Sequence, residues 1–463
     1  MPSAFHGINM SSQALRVFQR ALDTTGHNIS NVNTPGYSRQ MVQFADMEPT
    51  LFYSAPNRFA LGNGVSISAI SRVRDLFLQG RRMETTSEQG QLDSYRTQLK
   101  GMEQLYNGLG DSGVIGAMND FYNAWSSLAS NPNEPGARLK VQMAGQKLAD
   151  TVRGNYNNLR SMQTQASLQV DQTIKQVDQL TTQIADLNAS IRIQKAQGVE
   201  PNDLYDQRDQ ALHALSDLVD VKTFNQPDGS VNVFMGSRIL VDQAGATPFP
   251  SGSYDTLAST VSDGVSNYPV RGGQLAGLFK GMQAIKDGMA QLDGFANQLR
   301  TQVNGIHASG TNPLGNTGVN FFGDVTPPTP QSGAIDFDLS AAVKADPNAI
   351  VSSATGLAGD GGLALQLSRM RDVPVAALGN KTFGKYLTDM IGANGREISN
   401  VNAAIETQGA ISEQIDAQIQ STSGVSLDDE MANMLRYQRS YQAVAKAFNI
   451  FDQVTEELIN LIR

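Results

Sequence analysis

Residues 426–463 read SLDDEMANMLRYQRSYQAVAKAFNIFDQVTEELINLIR, and this stretch decides how the chain folds. Its apolar side chains recur at steps of three and four, or of seven where Gln438 interrupts, which predicts an amphipathic helix with one buried seam. Ser426 is a candidate N-cap, and the acidic run Asp428 to Glu430 suits the positive end of the helix dipole. The seam comprises Leu427, Met431, Met434, Tyr441, Val444, Phe448, Phe451, Val454, Leu458 and Leu461.

A matching seam lies at the other end of the chain, where apolar residues seven apart predict a helix over residues 3–32, with Ser3 as its cap. We expect the two terminal helices to pair. Because one seam does not offset the entropy cost of ordering both helices, we expect neighbouring copies to complete the pair. The predicted assembly interface is Ile8, Leu15, Phe18, Leu22, Ile29, Leu427, Met431, Met434, Tyr441, Val444, Phe448, Phe451 and Leu458.

Composition limits the possible classes of protein. A chain of 463 residues is too long for one core and suggests two to four domains. The net charge of -9 argues against a nucleic-acid partner, and the absence of cysteine excludes disulfides, thiolate metal sites and thiol nucleophiles. The sequence shows no cleaved signal and no apolar run near the roughly 20 residues of a membrane span. We therefore expect a cytoplasmic chain, or one exported through an uncleaved start.

The middle of the chain alternates between helical and extended patterns. Residues 84–198 are predicted to be mostly helical, with breaks at 108–113 and 131–136. Residues 38–73 are mixed and extended, with one strand near 65–69. Three further helical seams are Val170, Ile174, Val177, Ile184, Leu187 and Ile191; Leu275, Leu278, Met282, Ile285, Met289, Leu292, Leu299, Val303 and Ile306; and Ile391, Ile398, Ile405, Ile411, Ile415 and Ile419.

A change in the residue pattern predicts a β insertion between the seam at residues 170–191 and the seam at residues 275–306. Residues 225–230 carry a hairpin signal, and 311–358 look like a second excursion into the same β region. The fold class is mainly α with inserted β, a long helical coiled-coil bundle built from both chain ends plus a small central β domain. The predicted domains are 1–50 with 425–463, a terminal helical pair; 51–218 with 273–310 and 359–424, a helical bundle; and 219–272 with 311–358, a small outward-facing β domain.

Several motifs resemble those of one bacterial family. NISNVNTPGY, residues 28–37, resembles the N-terminal motif of flagellar rod, hook and hook-associated proteins, and its continuation YSRQ, residues 37–40, is typical of hook-associated protein 1. Four further stretches match the same family in the expected order. They are Gly62–Leu78, DLYDQRD at 203–209, GGQLAGL at 272–278, and GVSLDDEMANMLRYQ at 424–438 with Tyr441–Ala443.

The resemblance implies a fold and a function. Paired terminal helices would line the inside of a flagellar tube, with β domains outside, and the protein would join hook to filament without catalysis. Its implied partners are copies of itself in a ring, the hook protein, a second junction protein on the filament side, and an export chaperone bound at Val444, Phe448, Phe451 and Leu458. Its implied location is the extracellular flagellum, reached by type III export. Asn33, Thr34, Pro35, Gly36 and Tyr37 would form a structural hinge, and the short β region departs from the family.

Signals for chemistry are weak. The histidines, His6, His27, His213 and His307, lack metal-site spacing and are interpreted as solvated or capping residues. The acidic run at 428–430 diverges around a helix and cannot flank one bond, so we predict no catalytic residues, metal or cofactor. Trp125 is interpreted as a packing anchor. Two alternatives remain open: a hook or rod subunit of the same family, and a secreted cell-wall hydrolase.

Overall fold

The computed structural model describes residues 5–54, 57–107, 109–110, 113–250, 253–324 and 333–462. Long helices dominate, as the sequence predicts. The helices are α1 (His6–Ser30), α2 (Leu76–Asn107), α3 (Val114–Ser130), α4 (Pro135–Ala196), α5 (Asn202–Leu218), α6 (Gly273–His307), α7 (Ala341–Ala345), α8 (Gly362–Arg369), α9 (Phe383–Ser423) and α10 (Leu427–Ile462). Short 3-10 turns span Pro347–Ala349, Met370–Asp372 and Ala376–Leu378.

Eleven short strands accompany the helices in the described parts of the chain. They are β1 (Gln40–Asp46), β2 (Thr50–Ser54), β3 (Asn57–Leu61), β4 (Val65–Arg72), β5 (Lys222–Asn225), β6 (Val231–Met235), β7 (Arg238–Asp242), β8 (Gly245–Ala246), β9 (Ser253–Asp255), β10 (Thr260–Ser262) and β11 (Asn267–Pro269). The sheets have the orders β1-β4, β2-β3, β5-β6-β7-β8 and β11-β10-β9, and every pairing is antiparallel. The predicted fold class, mainly α with a small inserted β region, is confirmed.

The chain forms two compact units, each made of segments distant in sequence. The first takes its described residues from 1–88, 176–249 and 408–463, and the second from 89–175 and 250–407. Three helices, α2, α4 and α9, therefore contribute residues to both units. The predicted three-domain division stays a prediction, because compactness within one chain does not define how an assembled protein divides.

The first unit is built around the pairing of α1 with α10. Its apolar cluster contains Ala21 of α1, Val42 of β1 and Tyr437 of α10. The Phe44 ring links these elements, since its centroid lies 6.1 Å from that of Phe18 and 5.9 Å from that of Tyr437. The same unit contains the β5–β8 sheet, which Asn188 of α4 anchors by accepting from the Val231 nitrogen at 3.0 Å and donating to its carbonyl at 2.8 Å.

The second unit has an aromatic core. Trp125, the only tryptophan, is fully buried, and its ring centroid lies 5.4 Å from that of Phe321 and 6.0 Å from that of His307. Helix α6 packs so closely against α2 that a methyl group added to Gly277 would lie 3.0 Å from the Tyr95 nitrogen. This close packing explains the glycine in the GGQLAGL motif, and the packing role predicted for Trp125 is confirmed.

The predicted helix breaks and the hairpin are confirmed. Helix α2 ends at Asn107 and α3 begins at Val114, while α3 ends at Ser130 and α4 begins at Pro135. The hairpin turn joins β5 to β6, and the Gln226 nitrogen donates to the Ser230 carbonyl at 2.8 Å. Most residues of the seams at 170–191 and 275–306 are buried. In the seam at 391–419, Ile398, Ile415 and Ile419 are buried, whereas Ile411 is exposed.

Two stretches differ from the prediction. Residues 40–72 form four strands rather than one, because Gly64, at φ +93°, lets the chain return so that β4 pairs with β1. Residues 335–339 form only an isolated bridge between Leu339 and Phe322, since Phe337 turns into the aromatic core. Helix α1 begins at His6, and the predicted cap Ser3 lies outside the described residues. So do residues 325–332 of the predicted second excursion into the β region.

The interpretation of all four histidines as solvated or capping is wrong for His307. Its side chain is fully buried, its Nδ1 bonds the Val319 carbonyl at 2.6 Å, and its Nε2 accepts from the Val351 nitrogen at 3.0 Å. Both ring nitrogens are thus used by the neutral ring. Burial lowers the pKa of His307 to about 4, and the bond to Val319 opposes this shift.

The described helices include none that is long and apolar enough to cross a bilayer.

Acid should weaken the second unit through His307. The unfolded chain takes up a proton near pH 6.5 and the folded chain only near pH 4, so the free energy of unfolding should fall between these values, by about 3 kcal/mol in all. Fluorescence of Trp125 during urea unfolding at pH 8, 6.5, 5.5 and 4.5 measures this directly. His307→Gln should flatten the dependence, whereas His27→Gln, at an exposed site in the other unit, should leave it unchanged. An equal loss in wild type and His307→Gln would contradict the assignment.

Candidate assembly site at the paired chain ends

The two terminal helices pair antiparallel and in a fixed register. Gly7 of α1 lies so close to α10 that an added methyl group would come 2.6 Å from the Phe451 ring. At the opposite end, the Asn28 amide donates to the Glu430 carboxylate at 3.1 Å. Since 21 residues separate Gly7 from Asn28 and 21 separate Glu430 from Phe451, the helices match turn for turn over three heptads.

The face of α1 that is most buried is not the predicted heptad seam. Its fully buried positions are small or polar, and the hydroxyls of Thr24 and Thr25 bond carbonyls of their own helix at 2.9 and 3.0 Å. The predicted residues Ile8, Leu15, Phe18, Leu22 and Ile29 are half-buried. The buried positions are Ser11, Val17, Ala21, Thr24, Thr25 and Asn28.

The predicted residues of α10 divide into two groups. Met434, Tyr441, Val444, Phe448 and Phe451 are half-buried, whereas Leu427, Met431 and Leu458 are exposed. The paired helices therefore leave large apolar side chains accessible on α10. Whether neighbouring copies cover them stays a prediction.

Asn28 is the centre of a hydrogen-bond network at the end of α1. Its side-chain oxygen accepts from the Tyr37 hydroxyl at 2.7 Å and from the Gln40 nitrogen at 2.9 Å. Its side-chain nitrogen donates to the Gln40 carbonyl at 2.8 Å as well as to Glu430. Asn28 is 1% exposed, so all its hydrogen bonds are made within the protein. This one side chain joins α1, the following turn and α10.

Glu430 is the buried charge of the network. It is 2% exposed, it accepts from Arg39 Nε at 2.7 Å, and its other oxygen accepts from Asn28. The predicted N-cap is confirmed, since the Asp429 nitrogen donates to Ser426 Oγ at 3.3 Å. The dipole alone does not explain the acidic run, however, because Glu430 points into the pair while Asp428 and Asp429 are exposed. One signal in the sequence was missed. Arg39, within the motif quoted at residues 37–40, is a cation that can pair with a buried acidic residue.

Gln210 of α5 stabilises the turn that follows α1. Gly36 has φ +77°, as the third residue of a turn whose second residue is Pro35, and an added Cβ would collide with Gln210. Gln210 Nε2 donates to the Pro35 carbonyl at 2.7 Å. Burial, followed by the charges of Asp206, Asp203 and Glu430, raises the pKa of Tyr37 far above its usual value. Tyr37 therefore stays a neutral donor, and Asn33, Thr34, Pro35 and Gly36 are exposed around it.

Helix α5 carries the third part of the network. Asp206 accepts from the Ser38 nitrogen at 3.2 Å and from Arg72 at 2.6 Å, and Asp209 accepts from Arg72 at 2.8 Å and Arg74 at 2.7 Å. Burial raises the pKa of Asp206, and the bonds from Arg72 and Ser38 oppose that shift. The motifs quoted at 28–40, 62–78, 203–209 and 424–438 therefore meet at one place, although the chain separates them widely.

An apolar groove lies between α1, α10 and the strands that follow α1. It has a volume of about 850 Å³ and opens to solvent. Among the described lining residues, only Asp46, beside Met47, is charged. The lining comprises Met10, Ser11, Ala14, Phe18, Asp46, Met47, Pro49, Gly62, Gly64, Val65, Val444, Ala447 and Phe451.

The network itself offers little for chemistry. Its carboxylates accept hydrogen bonds from arginine, from the Asn28 amide or from backbone nitrogen, which suits structural support. Among the described residues, no group of three or more potential ligands is arranged to hold a metal ion.

Comparisons with known proteins agree on one family. A family model described as the flagellar hook-associated protein FlgK helical domain matches residues 99–322. Models described as flagella basal body rod protein and as flagellar basal body rod FlgEFG protein C-terminal match residues 8–37 and 417–461, the two regions that meet at Asn28 and Glu430.

Whole-length relatives bear one name. The chain is 28% identical to flagellar hook-associated protein 1 of Bacillus subtilis over 99% of each chain, and 24% identical to that of Salmonella typhimurium over 98% of this chain and 99% of the relative. The two alignments run over 504 and 559 positions, so the relatives contain residues that this chain of 463 lacks.

A solved structure agrees on the fold. The structure of the flagellar hook junction protein FlgK from Burkholderia pseudomallei superposes with a TM-score of 0.62 at 18% identity, and the match covers 74% of this chain and all of that one. The family model, the full-length relatives and the solved structure thus all point to the flagellar hook-associated protein 1 family.

Proposed function

We propose that this protein is the structural junction between hook and filament of a bacterial flagellum, assembled through its paired terminal helices. The observation that carries the proposal is that four family motifs meet at one place. Two of them form the buried Asn28–Glu430 contact, and the other two join it through Asp206, which bonds Ser38 and Arg72. This convergence supports a role for the chain ends as one building element. The site favours packing over turnover, so we propose no catalysis, and an extracellular position after export.

A hook or rod subunit is the second candidate, favoured by the rod-family matches at residues 8–37 and 417–461. Those matches cover only the terminal helices. The helical-domain match at 99–322 and the full-length relatives favour the junction instead.

Deleting the gene separates the two candidates. We expect cells that keep their hooks, lose their filaments and shed unpolymerised filament subunits into the medium, because subunits that leave the hook find no surface on which to assemble. Electron microscopy and an assay of secreted filament protein measure both effects, and complementation by the full chain is the control. Loss of the hooks would favour the rod or hook candidate, and retained filaments would contradict both.

The buried ion pair provides a sharper test of the terminal pairing. Glu430→Ala should destabilise the α1–α10 pair by about 2 to 3 kcal/mol, below the roughly 3 to 5 typical of fully buried pairs, because Arg39 keeps about a quarter of its side chain exposed. Hydrogen exchange in α10 and swimming in soft agar measure stability and assembly.

The control is Asp428→Ala, which removes an exposed acid from the same helical turn and should change exchange little. An apolar double variant, Arg39→Met with Glu430→Met, should recover part of the lost protection because no charge is then left unpaired. Equal effects of Glu430→Ala and Asp428→Ala would show that the buried pair does not set the stability of the helices.

We further propose that an export chaperone covers Val444, Phe448, Phe451 and Leu458 before assembly. Phe451 packs on Gly7 in the folded chain, so a chaperone on that face would keep α1 away from α10. The turn at Asn33–Tyr37 would then be a hinge, closing when Asn28 reaches Glu430.

Hydrogen exchange on the full chain, with and without the chaperone, tests this order of events. We expect protection of residues 444–458 and faster exchange in α1 when the chaperone binds, because the two compete for one face. Phe451→Ser should weaken chaperone binding, whereas Ile450→Ser, at the exposed neighbouring position, is the matched control. Protection of both helices together would contradict the competition.

A further inference from the structure

Helix α10 contributes to two surfaces with complementary features. Its C-terminal part lines the groove beside α1, and the exposed side of its N-terminal part carries a row of apolar residues. Leu427, Met431 and Leu435 are spaced by four, and each is about half exposed, at 46, 57 and 55%. Arg439 continues the row at the same spacing and is also exposed. We call these four residues the α10 stripe.

The charges at the groove are opposite in sign to those of the stripe. Asp46 lines the groove, and Glu48 is exposed on the chain between the lining residues Met47 and Pro49. Across the described residues, neither carboxylate has an ion-pair partner, and the same is true of Arg439. The groove has an apolar lining with acidic side chains at its edge, and the stripe has three apolar residues followed by a cation. The two surfaces are therefore complementary.

One copy cannot bring its own Met431 into its own groove. Val444, Ala447 and Phe451 of α10 line the groove, whereas Met431 lies near the start of the same helix. Sixteen residues separate Met431 from Ala447, which corresponds to about 24 Å along an α-helix. A contact between Met431 and the groove therefore joins two molecules.

We propose that the groove of one copy receives the α10 stripe of the next copy of this chain. The contact pairs two different surfaces, so it is heterologous and adds copies head to tail into a ring or a helical tube. The groove has apolar walls, and one of its described lining residues is charged, which suits a row of side chains better than a small molecule held by convergent polar groups. The inference rests on the proposed junction function and names the surfaces that build it.

The absence of cysteine allows a direct test by cross-linking. The variant carrying Met47→Cys and Met431→Cys places one thiol in the groove and one on the stripe of every copy. Expressed in the deletion strain and oxidised in purified hook–filament structures, it should give a ladder of dimers, trimers and longer products. A disulfide requires Cα atoms within about 7 Å. A thiol at position 431 therefore cannot react with the thiol in the groove of its own copy, because the groove residue Ala447 lies about 24 Å along α10 from Met431.

Matched controls define the outcomes. Met431→Cys alone and Met47→Cys alone should stay monomeric, and Met431→Cys with Met143→Cys, at an exposed site in the second unit, should give no ladder. Strong dimers from Met431→Cys alone would indicate a symmetric contact and would overturn the proposal. If the double variant restores swimming but gives no ladder, the stripe–groove contact is wrong while the junction function stands; if the wild-type chain does not restore filaments, the junction function fails.

The charges can be tested in the same background. Adding Asp46→Arg should reduce the ladder by about fivefold or more, since like charges then meet across the contact. Adding Arg439→Asp to that chain should restore part of the ladder, because the arginine at position 46 then meets a carboxylate, although Glu48 keeps its negative charge. No change with Asp46→Arg, or no recovery with Arg439→Asp, would remove the electrostatic part of the proposal and with it the choice of partner surface.

Discussion

A single buried carboxylate, that of Glu430, is the constraint on which the paired chain ends depend. A charge removed from water costs several kcal/mol unless ionic and hydrogen-bond partners compensate it. Here Arg39 supplies the opposite charge and Asn28 a neutral donor, and both belong to the first forty residues of the chain. The start of α10 is therefore satisfied only when the N-terminal segment is docked, and the two ends of the chain order together.

The same contact fixes geometry as well as energy. A purely apolar seam tolerates a shift of one heptad, because each Leu or Ile would meet a similar residue after the shift. The Glu430–Asn28 pair has no equivalent one heptad away, and Gly7 admits the Phe451 ring only at one level. Two specific contacts, 21 residues apart on both helices, define a unique register. Contacts inside one copy therefore fix the position of any surface that α10 presents to a neighbour.

The sequence predicted the elements well and the contacts poorly. Breaks at Gly, Asn and Pro clusters and the buried seams of α4 and α6 follow from local chemistry and periodicity, which a sequence displays directly. The buried face of α1 does not, because Ala21, Thr24 and Thr25 are small and satisfy their own hydroxyls, so a search for large apolar residues overlooks them. Likewise, the partners of Glu430 lie some 400 positions away, and no spacing rule links them.

The chain uses different types of side chain inside the terminal pair and on the exposed side of α10. Inside one copy, the terminal pair is held by polar atoms with defined directions, namely the carboxylate of Glu430, the amide of Asn28 and the hydroxyl of Tyr37. On the outside, α10 presents flexible Met and Leu side chains, which adapt to more than one shape. The directional bonds inside the pair fix its register without using the exposed side of α10. The burial of Glu430 thus leaves the exposed Met and Leu side chains of α10 free of any part in setting that register.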